Sequence, residues 1–199
     1  LHIAEAMQDN IDRMEALADV LKKDGYTNVL LLGMGGSSLA PEVFRKTFGV
    51  KDGYLELDVL DSTDPGAVLA YADKIDLTKT AFIVATKSGG TAETLSFFKF
   101  FYNRARNAFG EEGAGKHFIA ITDPGSKLED LADRLKFRAT FLNDPNIGGR
   151  YSALSYFGLV PAALLGVDLK KLLNRVTVMM ANWVAQNSPA EGDNDGGRL

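Results

Sequence analysis

The chain has no cysteine, two histidines and a single tryptophan among its 199 residues. The missing cysteine excludes disulfides and thiolate-bound metals. Only His2 and His117 can supply imidazole, and no helix carries two histidines at ligand spacing, so no dedicated metal site is expected. Clustered positive charge is missing too. The 22 basic residues are scattered among 26 acidic ones, for a net charge of −4. That balance speaks against a nucleic-acid surface and leaves a small anionic ligand open. No apolar run approaches the roughly 20 residues that cross a membrane. The N-terminal stretch Leu1–Asn10 carries Glu5 and Asp9 and does not read as a secretory signal, so a cytoplasmic protein is expected.

What is present is the composition of an ordinary globular protein, 46% hydrophobic and 24% charged, at a length that fits one domain. Ile3, Met7, Ile11, Met14, Leu17 and Leu21 recur at helical spacing and predict one helix from Ile3 to about Lys23, stopped at Gly25. Val29–Leu32 is a continuous apolar run suited to a strand covered on both faces. A helix follows over Leu39–Phe48, with Pro41 in its first turn, then a strand over Leu55–Leu60. Pro65–Lys74 predicts a short helix, Ala81–Ala85 a third strand, and Thr91–Ala108 a long helix rich in phenylalanine. His117–Thr122 reads as a fourth strand, and Ser126–Leu135 as a helix opened by a capping box of Ser126 and Glu129. Arg138–Leu142 is the fifth strand, and Ser152–Leu165 and Leu169–Ala185 form a final helical pair.

This alternation predicts a three-layer α/β fold around a doubly wound, five-stranded parallel sheet. In such folds the loops that follow the strands gather at one edge, where ligands bind. Phe97, Phe98, Phe100 and Phe101 are read as core rather than as a stacking platform, as are Phe118 and Phe141. Met179, Met180 and Trp183 are read as packing.

Two segments at the ligand edge carry chemistry. Gly33-Met34-Gly35-Gly36-Ser37-Ser38 follows the first strand, and Thr86-Lys87-Ser88-Gly89-Gly90-Thr91 follows the third. Each opens into a helix, whose first N–H groups, with glycines for close approach and hydroxyls as further donors, make an anion site. Lys87 adds a positive charge, so a phosphate held from two sides is expected. The first segment fails the dinucleotide fingerprint, because Ser38 stands at the third glycine position, and it lacks a P-loop ending. Alone it reads equally as a tight turn with serine capping the helix. A third segment, Gly148-Gly149-Arg150-Tyr151-Ser152, offers a guanidinium in a glycine loop, or else a turn capped by Ser152.

In order and interval these three segments resemble the successive motifs of the glucose-6-phosphate isomerases, continuing as Leu39-Ala40-Pro41 after the first and Ala92-Glu93-Thr94 after the second. The Gly148–Ser152 segment is the most specific, because sugar-isomerase (SIS) domains of other kinds share the phosphate loops and generally lack it. Ala153–Asp168, with Gly158-Leu159-Val160-Pro161, is most similar to the isomerase half of bifunctional transaldolase–isomerase proteins.

The resemblance implies an SIS domain of flavodoxin-like topology over residues 1–187, with residues 188–199 opening a linker toward a second SIS domain. It implies that Ser37, Thr86, Lys87, Ser88 and Thr91 surround the phosphate of a sugar phosphate. Gly35, Gly36 and Gly149 would shape the substrate loops, and Arg150 would stabilise charge on an enediolate-like intermediate between glucose 6-phosphate and fructose 6-phosphate. It implies no cofactor and no metal. In the family a glutamate serves as base, and a histidine and a lysine assist ring opening. All three come after the point where this sequence stops, so binding with little or no turnover is expected. A homodimer in the longer protein and a fused transaldolase also follow from the resemblance. The second loop departs from many single-function isomerases, which carry Ser, Thr and Phe-Thr where this chain has Thr86, Ser88 and Gly89-Gly90. Two other readings stand beside it. One is an SIS enzyme acting on amino-sugar phosphates. The other is a regulatory phosphosugar sensor, although no basic recognition helix accompanies the domain.

Overall fold

Five short apolar runs become five parallel strands in the computed structural model, which describes residues 2–184. They are β1 (Asn28–Gly33), β2 (Glu56–Leu60), β3 (Thr80–Ala85), β4 (Phe118–Thr122) and β5 (Ala139–Leu142), in the order β2-β1-β3-β4-β5. Every neighbouring pair is parallel, with Val29 level with Leu57 on one side and Ala81 on the other. Among the described residues eight α-helices surround the sheet: α1 (Ile3–Gln8), α2 (Ile11–Lys23), α3 (Gly36–Phe48), α4 (Pro65–Lys74), α5 (Ala92–Ala114), α6 (Lys127–Arg134), α7 (Tyr156–Leu165) and α8 (Leu169–Val184). This is the expected three-layer doubly wound architecture. Its strand order reverses direction between β1 and β3, where ligands of open α/β sheets bind.

The two-residue period of a strand sorts the core into two layers. Val29, Leu31, Ala81, Ile83, Ile119 and Ile121 face α1, α2, α7 and α8 in an aliphatic layer. Leu30, Leu32, Phe82, Val84, Phe118 and Ala120 face α4, α5 and α6. This second layer is aromatic. Phe97, Phe98 and Phe101 are buried in it, Phe82 stacks on Phe118 with centroids 4.9 Å apart, and Phe100 packs at its margin. Phe118 and Phe141 are strand core, as expected.

Several boundaries differ from the sequence reading, each for a local reason. The expected single helix over Ile3–Lys23 breaks between Gln8 and Ile11. There the Asn10 side chain donates to the Ala6 carbonyl at 2.9 Å and accepts from the Tyr156 hydroxyl at 2.9 Å, which replaces the helical continuation. Helix α3 begins at Gly36 rather than Leu39, so Pro41 is buried inside it instead of in its first turn. Helix α5 runs on to Ala114, bent at Gly110, whose positive φ of 75° a glycine tolerates. The expected helix over Ser152–Leu165 is a 3₁₀ segment, Gly149–Leu154, followed by α7. Its cap is Ser155, not Ser152: the Phe157 N–H donates to the Ser155 hydroxyl at 3.3 Å. Of the terminal packing residues, Met180 lies partly buried against the aliphatic layer and Met179 is exposed. The Trp183 side chain, Ala185 and the expected boundary at 187–188 lie outside the described residues.

The expected strand from His117 starts one residue later, and His117 ends a 3₁₀ turn (Gly115–His117) just before β4, at the end of the sheet away from the glycine loops. Its Nδ1 lies 3.0 Å from the Tyr26 hydroxyl, and its ring stacks on Phe109 with centroids 4.1 Å apart. Burial pushes its pKa below the ordinary 6.5.

Candidate functional site

The loops after β1 and β3 meet at the switch point. They line a cavity of about 470 Å³ with Met34, Gly36 and Ser37 from the first, and Thr86, Lys87, Ser88 and Thr91 from the second. Ala85, Thr94, Asp123 and Gly149 complete the wall. The structure thus brings together seven of the nine sequence-predicted site residues. Gly35 stands just outside the lining at φ 55°, and Arg150 follows Gly149 on the 3₁₀ segment, exposed to solvent.

The cavity is built for donors. Helices α4, α6 and α7 are each capped by a side chain, from Asp64, Ser126 and Ser155. The two helices that start at the cavity, α3 and α5, have no side-chain cap, as is also true of α1 and α2. At α3 the Ser37 and Ser38 N–H groups donate to the Met34 and Gly35 carbonyls at 3.1 Å, so it is the start of α5 that offers its first N–H groups to a ligand. Ser38 does not cap α3; its hydroxyl donates back to the Gly35 carbonyl at 3.0 Å. The hydroxyls of Thr86 and Thr91 lie 2.9 Å apart, so one donates to the other and a proton remains for an anion.

The second loop is anchored from behind. The Thr86 N–H donates to Ile121, and the Asp123 N–H and Thr122 hydroxyl donate to the Lys87 carbonyl at 3.1 and 3.3 Å. At Gly89, φ is +68°, and a Cβ there would lie 2.7 Å from the Leu128 nitrogen, so the loop rests directly on the start of α6. Across the cavity, a Cβ on Gly36 would lie 2.5 Å from the Gly149 carbonyl carbon. The Ser152 hydroxyl, which donates to the Gly149 carbonyl at 2.5 Å, also lies 3.3 Å from the Gly36 carbonyl. The third segment therefore packs on the first loop, which carries Arg150 to the rim.

Lys87 differs most from expectation. Its ammonium is ion-paired with Asp123 and donates to the Pro145 carbonyl at 2.7 Å, so its charge is balanced within the protein. By local pattern Asp123 is only the residue that follows a strand. Its place in the cavity follows from β4 lying beside β3, a long-range pairing that local pattern does not encode. Thr94 was hidden inside a helical motif; it is fully buried, and its hydroxyl has no partner among the described residues.

Sequence comparison decides the family: the phosphoglucose isomerase model matches residues 3–193. The chain belongs to that family. A glucose-6-phosphate isomerase of Campylobacter jejuni is 34% identical over 173 residues, covering 86% of this chain and 41% of that protein. One from Acaryochloris marina is 36% identical over 152 residues, covering 74% of this chain and 28% of that protein. Among solved structures, a hypothetical protein from Thermus thermophilus aligns with a TM-score of 0.81 at 28% identity, over 92% of this chain and 43% of that one. A glucose-6-phosphate isomerase from Chlamydia trachomatis aligns at 0.80 and 24% identity, over 92% of this chain and 35% of that one, which shows a shared fold. The chain spans well under half the length of these phosphoglucose isomerase relatives.

Proposed function

We propose that this chain is the sugar-phosphate-binding part of an enzyme that interconverts glucose 6-phosphate and fructose 6-phosphate through an enediol. The observation that carries the proposal is the convergence of Ser37, Thr86, Lys87, Ser88 and Thr91 on one cavity between two uncapped helix starts. A phosphate there accepts from N–H groups, hydroxyls and Lys87 together. Arg150, at the rim and with no ion-pair partner among the described residues, is the cation for charge developing on the sugar oxygens. The carboxylate in the wall, Asp123, is tied to Lys87 at the phosphate end and is not placed to move a proton between sugar carbons. The base is accordingly sought beyond these residues. Neither a cofactor nor a metal has a role in this reading. No described helix is long and apolar enough to cross a membrane. A cytoplasmic location, a homodimer of the longer protein and a fused transaldolase belong to the same proposal.

The test is a calorimetric titration of the chain with fructose 6-phosphate, beside fructose and inorganic phosphate, repeated with Thr91→Val. Binding that requires the phosphate and weakens about tenfold without the Thr91 hydroxyl supports the reading, one hydrogen bond to a charged group being worth roughly 1.5 kcal/mol or more. Equal binding of fructose, or indifference to Thr91→Val, removes it.

A further inference from the structure

We infer that Asp123 sets the charge of the anion site through Lys87, and thereby sets how tightly the site holds a phosphate. The inference rests on the phosphate reading of the cavity and adds a residue that the loop motifs do not contain. Asp123 and Lys87 both line the cavity, and their side chains are 15% and 34% exposed. One carboxylate oxygen takes the Lys87 ammonium; the other is buried with no hydrogen-bond partner among the described residues. Lys87 is therefore the main counter-charge of Asp123. Backbone contacts hold the pair in place, since the Asp123 N–H donates to the Lys87 carbonyl at 3.1 Å. Of the three protons on the ammonium, Asp123 and Pro145 engage two, which leaves one for an anion.

A site built this way holds phosphate through hydroxyls and amide N–H groups around a nearly neutral ion pair, not through a free cation. Asp123 acts through Lys87 and is a positioning residue. Two consequences separate this role from a merely structural one. Replacing Asp123 by Asn keeps an acceptor for Lys87 and removes the opposing charge, so anion affinity rises. Removing Lys87 alone leaves a poorly solvated carboxylate facing the ligand, so Lys87→Ala loses more than one hydrogen bond, and neutralising Asp123 as well recovers much of the loss.

The experiment titrates the wild-type chain, Asp123→Asn, Asp123→Ser, Lys87→Ala and Lys87→Ala/Asp123→Ala with fructose 6-phosphate and with inorganic phosphate. Thermal melts accompany each titration, and both low and high salt are used. In Asp123→Asn we expect both ligands to bind about tenfold tighter at low salt, a gain that shrinks toward ~1 M salt as the freed charge is screened. The double variant is expected to bind about a hundredfold tighter than Lys87→Ala alone. The excess over the tenfold gain of Asp123→Asn, about tenfold, is the coupling between the two side chains and lies within the range measured for contacting groups. Asp123→Ser supplies a second neutral variant with a different shape. Neutral variants that bind no tighter than wild type, or a double variant no better than Lys87→Ala, overturn the inference while the phosphate reading stands. Absence of phosphate-dependent binding in the wild-type chain overturns the phosphate reading, and the inference falls with it.

Discussion

A methyl group on Gly36 would lie 2.5 Å from the Gly149 carbonyl carbon and 2.7 Å from its oxygen, both of them backbone atoms. The reverse substitution is mild: a methyl on Gly149 meets nothing nearer than the Gly36 Cα, at 3.5 Å. Gly36→Ala is therefore expected to destabilise the chain by about 1–3 kcal/mol, the usual result of overpacking, and to weaken fructose 6-phosphate binding by displacing the rim loop. Gly149→Ala is expected to stay within about 0.5 kcal/mol of wild type and to keep ligand affinity. Urea denaturation and calorimetry on the two variants check this, and equal effects would remove the close approach as the reason for these glycines. Both glycines were readable in the sequence as loop residues near a ligand. Which of them cannot carry a side chain was not, because the clash involves two segments brought together only by the fold. Lys87 teaches the same lesson. Its place beside the hydroxyls was legible; the carboxylate that balances it comes from the next strand.

Helix starts were the best-read elements where the signal is local. Ser126 accepts from the Glu129 N–H at 3.2 Å as the spacing predicts, while Glu129 reaches back one residue further, accepting from the Gly125 N–H where a capping box would return to the Ser126 N–H itself. Ser126 also shares a 2.7 Å hydrogen bond with the buried Thr122 hydroxyl. Ser126→Ala is expected to lower stability by about 1–2 kcal/mol, at the upper end for a cap because the buried Thr122 hydroxyl loses one of its two partners too. A smaller loss in urea titrations would mean that the bond Thr122 keeps to the Lys87 carbonyl suffices for its hydroxyl. Legibility failed where tertiary contacts overrule the helical period. The apolar spacing runs unbroken through Asn10, yet the Tyr156 hydroxyl and the Ala6 carbonyl claim its side chain and end the first helix. Just before β4, His117 gives a pH dependence. Burial disfavours its imidazolium, so the unfolded chain takes up the proton first. Stability is then unaffected above the ordinary value of 6.5 and falls as pH drops through it toward the folded-state value. His117→Asn is expected to lose less stability than wild type between about pH 7.5 and pH 5, read from urea midpoints. An identical loss in both proteins would assign the acid sensitivity to other groups.

The cavity belongs to the whole molecule, because its wall draws on the ends of β1, β3 and β4, on two helix starts and on Gly149. None of these is assembled in the unfolded chain, so a bound sugar phosphate stabilises the folded state as a unit. At one hundred times the dissociation constant, fructose 6-phosphate is expected to add about 2.7 kcal/mol to the stability of the chain. The sheet also separates this increment from the core that supports it. Phe118 is fully buried in the aromatic layer at the first position of β4, while Asp123 follows the last. At about 3.3 Å per strand residue, some 16 Å separate them. Phe118→Ala removes a ring that packs on Phe82, Phe98 and Tyr102, and is expected to destabilise the chain by about 3–5 kcal/mol. At that separation the two effects should add, so the variant keeps the full ligand increment at saturation even though its midpoint has fallen. Gly36→Ala should do the opposite, losing less stability and most of the increment. Urea titrations of the three proteins, each with and without fructose 6-phosphate, give both quantities at once. Should Phe118→Ala lose the ligand increment as well, the cavity would depend on the aromatic layer, and the rigid sheet would not insulate the switch point from the far end of β4.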